Sequence, residues 1–298
     1  MYKGFSYSMT GASHIIKDMV CQDSAAHYAA ENFSAAVVAD GHGSKKHFRS
    51  NIGSEIAVNC TLDVIKRFYS DADEFNRQFP KNHKMIMRNI ERQIISEWNS
   101  RVNEHFLLNP ITEAEKSQFT QEEFAEISVE SYYGTTLVAA VISKDFTFGF
   151  QIGDGSLIAV FEDGHTSMIL DYEESNPANI TASMCNSNAI TMFNSYYIDN
   201  KKIGAVFVST DGLYTSFGSD LEFFNYHTII ADQLAESEEF SETVKKNIQK
   251  RTNFGTQDDI SLACVYDKEI LRENSDIIKQ KIEENKRRLL ARKPKPKK

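Results

Sequence analysis

The sequence predicts an α+β fold, and three observations carry that prediction. Short apolar runs recur and stop abruptly at acidic residues, as buried strands do at a sheet rim. Long segments place apolar residues on one helical stripe. Between Tyr133 and Gly164, three β-type runs follow one another with only polar or glycine-containing turns between them, the pattern of an antiparallel meander. With 298 residues, 41% of them hydrophobic and 25% charged, the chain can bury a sizeable core and has the composition of a globular protein. Length alone does not separate one domain from two.

Taken in order, a strand is expected near Phe5 to Met9, then a loop through Asp23. The apolar run Phe33 to Ala39 follows and ends at Asp40-Gly41-His42-Gly43, a strand end and a turn. From Lys45 the period changes: Phe48, Ile52, Ile56, Cys60, Val64 and Phe68 recur every four residues and predict a helix lying on a sheet. Residues 71–131 are richer in charge, and Met85, Ile86, Ile90, Ile94, Ile95 and Trp98 predict a second amphipathic helix with a polar, partly helical connection after it. The meander comes next. Residues 172–200 lack periodicity and read as loop, after which Gly204 to Ser209 is a strand ending at Thr210-Asp211-Gly212. Helical patterns resume from Leu221, a strand over Ile260 to Tyr266 closes the core, and Lys268 to Leu290 reads as a helix before the tail ARKPKPKK. No internal repeat is present.

The formal net charge of −9 disfavours nucleic-acid binding by the body of the chain and suits sites that collect cations. Cys21, Cys60, Cys185 and Cys264 are widely spaced and form no C-x-x-C pair, which excludes a zinc knuckle and a disulfide scaffold and points to a reducing, cytoplasmic location. No apolar segment has the length of a membrane span. The basic stretch KRRLLARKPKPKK could contact nucleic acid, an acidic partner or an anionic surface, or be a solvated tail.

The chemistry lies in a recurrence of acids. Asp40 follows AAVVA, Asp154 follows FGFQIG, Asp211 follows AVFVST, and Asp258 precedes ISLACVY by one residue. Strand ends along one rim bring distant residues together, and carboxylates so gathered repel one another unless cations neutralise them. Oxygen ligands without a Cys/His cluster favour Mg²⁺ or Mn²⁺ over zinc. Any one Asp-Gly pair is equally well explained as turn chemistry; the repetition after apolar strands is what points to a site.

These residues resemble the metal-dependent protein phosphatases, the type 2C serine/threonine family, and a bacterial or phage-type branch of it. Six motifs occur in order: CQDS from Cys21, VVADGHGS from Val37, YGTTLVAAVI from Tyr133, QIGDGSLIAV from Gln151, VFVSTDGLY from Val206 and TQDDISLACV from Thr256. The resemblance implies a four-layer α-β-β-α sandwich of two antiparallel sheets flanked by helices over residues 1–268, with a helix and basic tail over 269–298. It also implies two Mn²⁺ or Mg²⁺ ions, with a third as an option, and a phosphoprotein substrate. Asp40 would bridge the metals, Gly41 would offer its carbonyl oxygen, and Asp211 and Asp258 would complete one shell. Asp23 would act through water, and Asp154 would hold the third ion with Asp211. His42 stands at the family's general-acid position, a role suited to an imidazole titrating near neutrality; a surface-turn histidine is the plain alternative.

Three departures accompany the resemblance. Asp18 stands where many members carry a phosphate-gripping arginine, which leaves His14, Lys17, Lys45 and Lys46 as candidate cations. The common Glu-Asp pair is Gln22-Asp23, and the usual Asp-Asn is Asp258-Asp259, whose second acid either restores charge or faces solvent. A regulatory module without turnover and a hydrolase of small phosphoesters are the competing readings.

Overall fold

A computed structural model describes residues 1–170, 181–199 and 202–292, with Leu170 and Arg292 described by their backbone only. The expected loop over 172–200 therefore lies partly, and the tail almost wholly, outside the described residues. The strands are β1 (Tyr2–Met9), β2 (Ser24–Ala29), β3 (Phe33–Ala39), β4 (Leu137–Ser143), β5 (Phe146–Ile152), β6 (Ser156–Phe161), β7 (Thr166–Leu170), β8 (Asn194–Asp199), β9 (Ile203–Ser209) and β10 (Ile260–Asp267). The helices are α1 (Ala12–Ile16), α2 (Ser50–Phe68), α3 (Ala72–Leu108), α4 (Glu113–Lys116), α5 (Gln121–Glu126), α6 (Val129–Tyr132), α7 (Asp211–Thr215), α8 (Asp220–Glu236), α9 (Phe240–Phe254), α10 (Lys268–Glu273) and α11 (Ser275–Arg292).

Two five-stranded sheets result, ordered β1-β10-β9-β6-β7 and β2-β3-β4-β5-β8, with every neighbouring pair antiparallel. The sheets pack face to face and helices cover both outer faces, giving the four layers. Side chains alternate across a strand, so a strand between two layers must be apolar at every position. β3 obeys this rule: Ala36 and Val38 face the other sheet, while Ala35, Val37 and Ala39 face the helices. On the far side, α8, α9 and α11 bury Ile230, Leu234, Val244, Ile248 and Ile278 against β9 and β10.

The structure differs from the sequence reading in several places, among them the expected helix from Lys268 to Leu290, which is two helices, α10 and α11. The buried line of α2 runs through Gly53, Ala57, Cys60 and Val64, while Ile52, Ile56 and Phe68 are only half-buried. Gly53 explains the rotation: a Cβ there would sit 1.9 Å from the Tyr133 carbonyl oxygen, so the helix approaches at its smallest residue. The second helical run begins at Ala72, well before Met85, because the Asp71 side chain accepts from the Glu74 N–H and Phe75 and Phe79 add a buried turn. It kinks at Asn82 (φ −130°), just beyond Pro80. Lastly, β2, β7 and β8 are strands that the sequence reading does not contain; all three are edges, and β2 and β8 are half-exposed and without clean alternation.

Candidate active site

The strand ends deliver the acids. Asp40 follows β3, Asp154 sits in the β5–β6 turn, Asp211 opens α7 directly after β9, Asp258 precedes β10, and Asp23 precedes β2. Asp23 is buried, Asp40, Asp154 and Asp211 are half-buried, and Asp258 is exposed. Each is held by its own local device. The Asp40 N–H donates to Thr136 Oγ1 at 3.0 Å, and its carbonyl accepts from the Thr136 N–H at 2.8 Å and from Thr135 Oγ1 at 2.9 Å. Gly41 is bridged to Thr135, and its N–H donates to the Gln22 carbonyl at 3.2 Å.

Thr210, after β9, ties Asp23 to the opposite sheet. Its hydroxyl accepts from the Ser261 N–H at 2.9 Å and donates to Asp23 Oδ2 at 2.7 Å. The turn carrying Asp154 is clamped by the buried Gln151, whose amide donates to the carbonyls of Gly153 at 3.0 Å and Gly155 at 2.7 Å. Gly153 has φ +105°, a conformation that a side chain would strain. Asp154 itself accepts from Thr181 Oγ1 at 3.0 Å.

These carboxylates act on one another. Burial pushes Asp40 well above the usual carboxylate range, and the charges of Asp23, Asp211, Asp154 and Asp258 add to the rise. Asp23 moves the same way, chiefly through burial, with the Thr210 hydrogen bond opposing and Asp259, Asp211 and Asp258 adding. Asp211 is raised to about 6 by burial and by Asp154 and Asp258. One cleft thus gathers five acids from five segments, three of them short of counter-charge. Among the described residues, no three His, Cys, Asp or Glu side chains stand close enough together to hold a metal ion as they are placed. The donor set is nonetheless that of a hard cation: carboxylate oxygens and a backbone carbonyl, with no thiolate.

The family profile described as protein phosphatase 2C matches residues 10–250. The chain belongs to the protein phosphatase 2C family. As a member it is a protein phosphatase by family, and the motif order read from the sequence matches that membership. Solved structures agree on the fold. A bacterial serine phosphatase aligns with a TM-score of 0.55 at 14% identity, covering 89% of this chain and 98% of that one. The S. agalactiae serine/threonine phosphatase gives 0.54 at 16%, covering 89% and 99%. A C. elegans sex determining protein gives 0.55 at 13%, covering 93% of this chain and 66% of that one. A search among curated proteins found no match.

Against this family's pattern, the departures acquire structural explanations. Asp259 does not face solvent, although its charge adds to the rise of Asp23. It is 4% exposed, and its two oxygens accept from the Gly11 and Gln22 N–H groups, each at 2.7 Å. His14 Nδ1 lies 2.9 Å from the same carboxylate without forming a hydrogen bond, and its Nε2 lies 4.0 Å from Asp258 Oδ1. His14 thus stands between Asp259 and Asp258. Asp18 sits in the left-handed region (φ 56°) at the end of α1, where the Met19 N–H reaches back to the His14 carbonyl at 2.9 Å. An aspartate tolerates that conformation better than most side chains.

Of the candidate cations, Lys45 pairs with Glu123 at 3.2 Å and lies over Phe119, and Lys17 is exposed. Lys46 is exposed, and its charge acts on both His42 and His47. His42 is half-buried, its ring 4.8 Å from that of His47. Burial, with His47 and Lys46, lowers its pKa to about 4, so the imidazole is neutral at pH 7 and does not titrate near neutrality as expected. Sequence reasoning missed Thr136 and Thr210 as supports of the acids. Their signal was present in GTT and STDG, where a hydroxyl beside a strand end can reach a neighbouring backbone or carboxylate.

Proposed function

We propose that the chain hydrolyses phosphoserine and phosphothreonine on proteins at a divalent-metal centre. The observation that carries this reading is the mutual charging of Asp23, Asp40, Asp154, Asp211 and Asp258 within one cleft. Asp40, the Gly41 carbonyl, Asp211 and Asp258 would hold the ions, with Asp23 acting through water and Asp154 serving an optional third. When bound, two Mn²⁺ or Mg²⁺ ions would supply Lewis acidity and activate a water for in-line attack on phosphorus.

The chain's own residues do the rest. Thr136 holds the backbone of Asp40 and Thr210 holds one oxygen of Asp23, which limits the reorganisation either acid needs. The neutral His42 offers an N–H as hydrogen-bond donor toward the leaving oxygen, and Lys46 beside it supplies positive charge for the phosphate. The test is hydrolysis of a phosphopeptide and of p-nitrophenyl phosphate, with Mn²⁺ and with EDTA, each substrate competing against the other. Preference for the small ester would refute the protein substrate.

The acid at position 18 favours a second reading, a regulatory module with weak turnover. Mn²⁺ binding measured by calorimetry, with no hydrolysis of either substrate, would support it over the first.

A further inference from the structure

A cavity of about 350 Å³ opens on the outer, helical side of the β1-β10-β9-β6-β7 sheet, and none of the cleft acids lines it. Its volume falls in the range of small-molecule sites, roughly 300–1,000 Å³. Three elements wall it. α11 contributes Lys281, Asn285 and Arg288, which share one helix face at spacings of four and three. α8 contributes Asp220 and Phe224, and His165 stands at the entry to β7.

Asn285 is the telling residue. It is 4% exposed, it lines the cavity, and its side chain makes no hydrogen bond among the described residues. Its amide atoms are not sealed from solvent, so its two donors and its acceptor are available to a polar group inside the cavity. The charges around it are specific. Arg288 makes no ion pair among the described residues, whereas Lys281 pairs with Glu284 at 2.8 Å. Asp220 accepts from the Tyr214 hydroxyl at 2.7 Å through Oδ1 and keeps Oδ2 for another donor.

We propose that this cavity binds an organic phosphate of about the size of a nucleoside monophosphate. Arg288, with Lys281, would take the phosphate through charge-assisted bonds. The ring of Phe224 would cover a flat body, Asn285 would pair with its polar edge, and Asp220 would accept from a hydroxyl. Inorganic phosphate satisfies only the first of these contacts. The composition of the wall therefore favours the larger ligand.

The test uses the full chain and five probes: adenosine, guanosine, cytidine and uridine monophosphate, and inorganic phosphate, read by calorimetry and by thermal shift. At least one nucleotide is expected to raise the melting temperature and to bind more tightly than inorganic phosphate. Arg288→Glu and Asn285→Asp should each weaken that binding by about tenfold or more, while p-nitrophenyl phosphate hydrolysis stays at the wild-type rate. Arg288 belongs to an outer helix face, so its variant stays informative even where a change at Asn285 unfolds the chain. The proposal is overturned by binding that Arg288→Glu leaves unchanged, by inorganic phosphate binding as tightly as every nucleotide, or by no binding at millimolar probe.

Discussion

Replacing Asp259 separates two roles for the acid that this chain carries in place of the family's usual asparagine. If it were one more charge in the cleft, its removal would relieve repulsion and stabilise the metal-free protein. The geometry says the reverse. Its oxygens receive two backbone N–H groups, from Gly11 and Gln22, at 2.7 Å inside a buried pocket. A hydrogen bond to a charged group contributes about 1.5–3 kcal/mol, so Asp259→Ala should cost about 3–6 kcal/mol. Asp259→Asn keeps one acceptor oxygen but turns an amide NH₂ against the other donor, for about 2–4 kcal/mol. Against a total stability of about 5–15 kcal/mol, either loss is large. Urea unfolding followed by circular dichroism, without metal, measures both. Variants within about 1 kcal/mol of wild type, or more stable than it, would refute the clamp. A second consequence is functional: freeing Gln22 frees the neighbouring Asp23, so Asp259→Asn should need more Mn²⁺ for half-maximal activity.

Other outcomes are equally definite. Activity should vanish in EDTA and return with Mn²⁺ or Mg²⁺, and full turnover by a stripped enzyme in chelator would exclude the proposed centre. Asp40→Asn and Asp211→Asn should lose turnover by at least about a hundredfold while circular dichroism is unchanged. Without metal, Asp211→Asn should be the more stable protein, by up to about 3 kcal/mol for a carboxylate raised to about 6, and a lower melting temperature would contradict the crowding of charge. Glu115 is held down to about 2 chiefly by its hydrogen bond to the buried Arg49. Its folded pKa lies below the unfolded one, so its contribution is full above about pH 4.5 and is lost as pH falls toward 2. Discounted for a side chain 22% exposed, this amounts to about 1–2 kcal/mol, and an acid-limb stability curve that Glu115→Gln leaves unaltered would disprove it. Asp18→Arg should lower KM for a phosphopeptide, at a stability cost of about 1 kcal/mol for the left-handed backbone; an unchanged KM with intact metal affinity would place residue 18 outside the substrate's reach.

What could be read from the sequence was whatever a strand or helix announces locally. β3, β4, β5 and β9 were legible because each is sandwiched between layers and must be apolar throughout. The acids at their ends were legible for the same reason, since an aspartate after such a run stands out. Edge strands β2, β7 and β8 were not, because a part-exposed edge imposes no such pattern. The rotation of α2 was hidden in a single glycine: a four-residue stripe suggests a face, but the approach of Gly53 to Tyr133 decides which face is buried. Nor could spacing reveal Asp259's partners, which lie 248 and 237 residues away. The neutral state of His42 also depends on burial beside His47, which no local motif encodes.

The pairing of β1 with β10 sets an order of events during synthesis. Residues 2–9 leave the ribosome before their hydrogen-bonding partners, residues 260–267, and the Asp259 that anchors Gly11 and Gln22 arrives with those partners. Until then β1 is an unpaired edge, and the Gly11 and Gln22 N–H groups lack the carboxylate that receives them. Contacts of such long sequence separation slow folding and leave strand edges open to other chains, so the nascent protein depends on its late residues both to close the sheet and to finish the site. A truncation that stops short of residue 258 should therefore yield a sticky, metal-blind fragment rather than a weak enzyme.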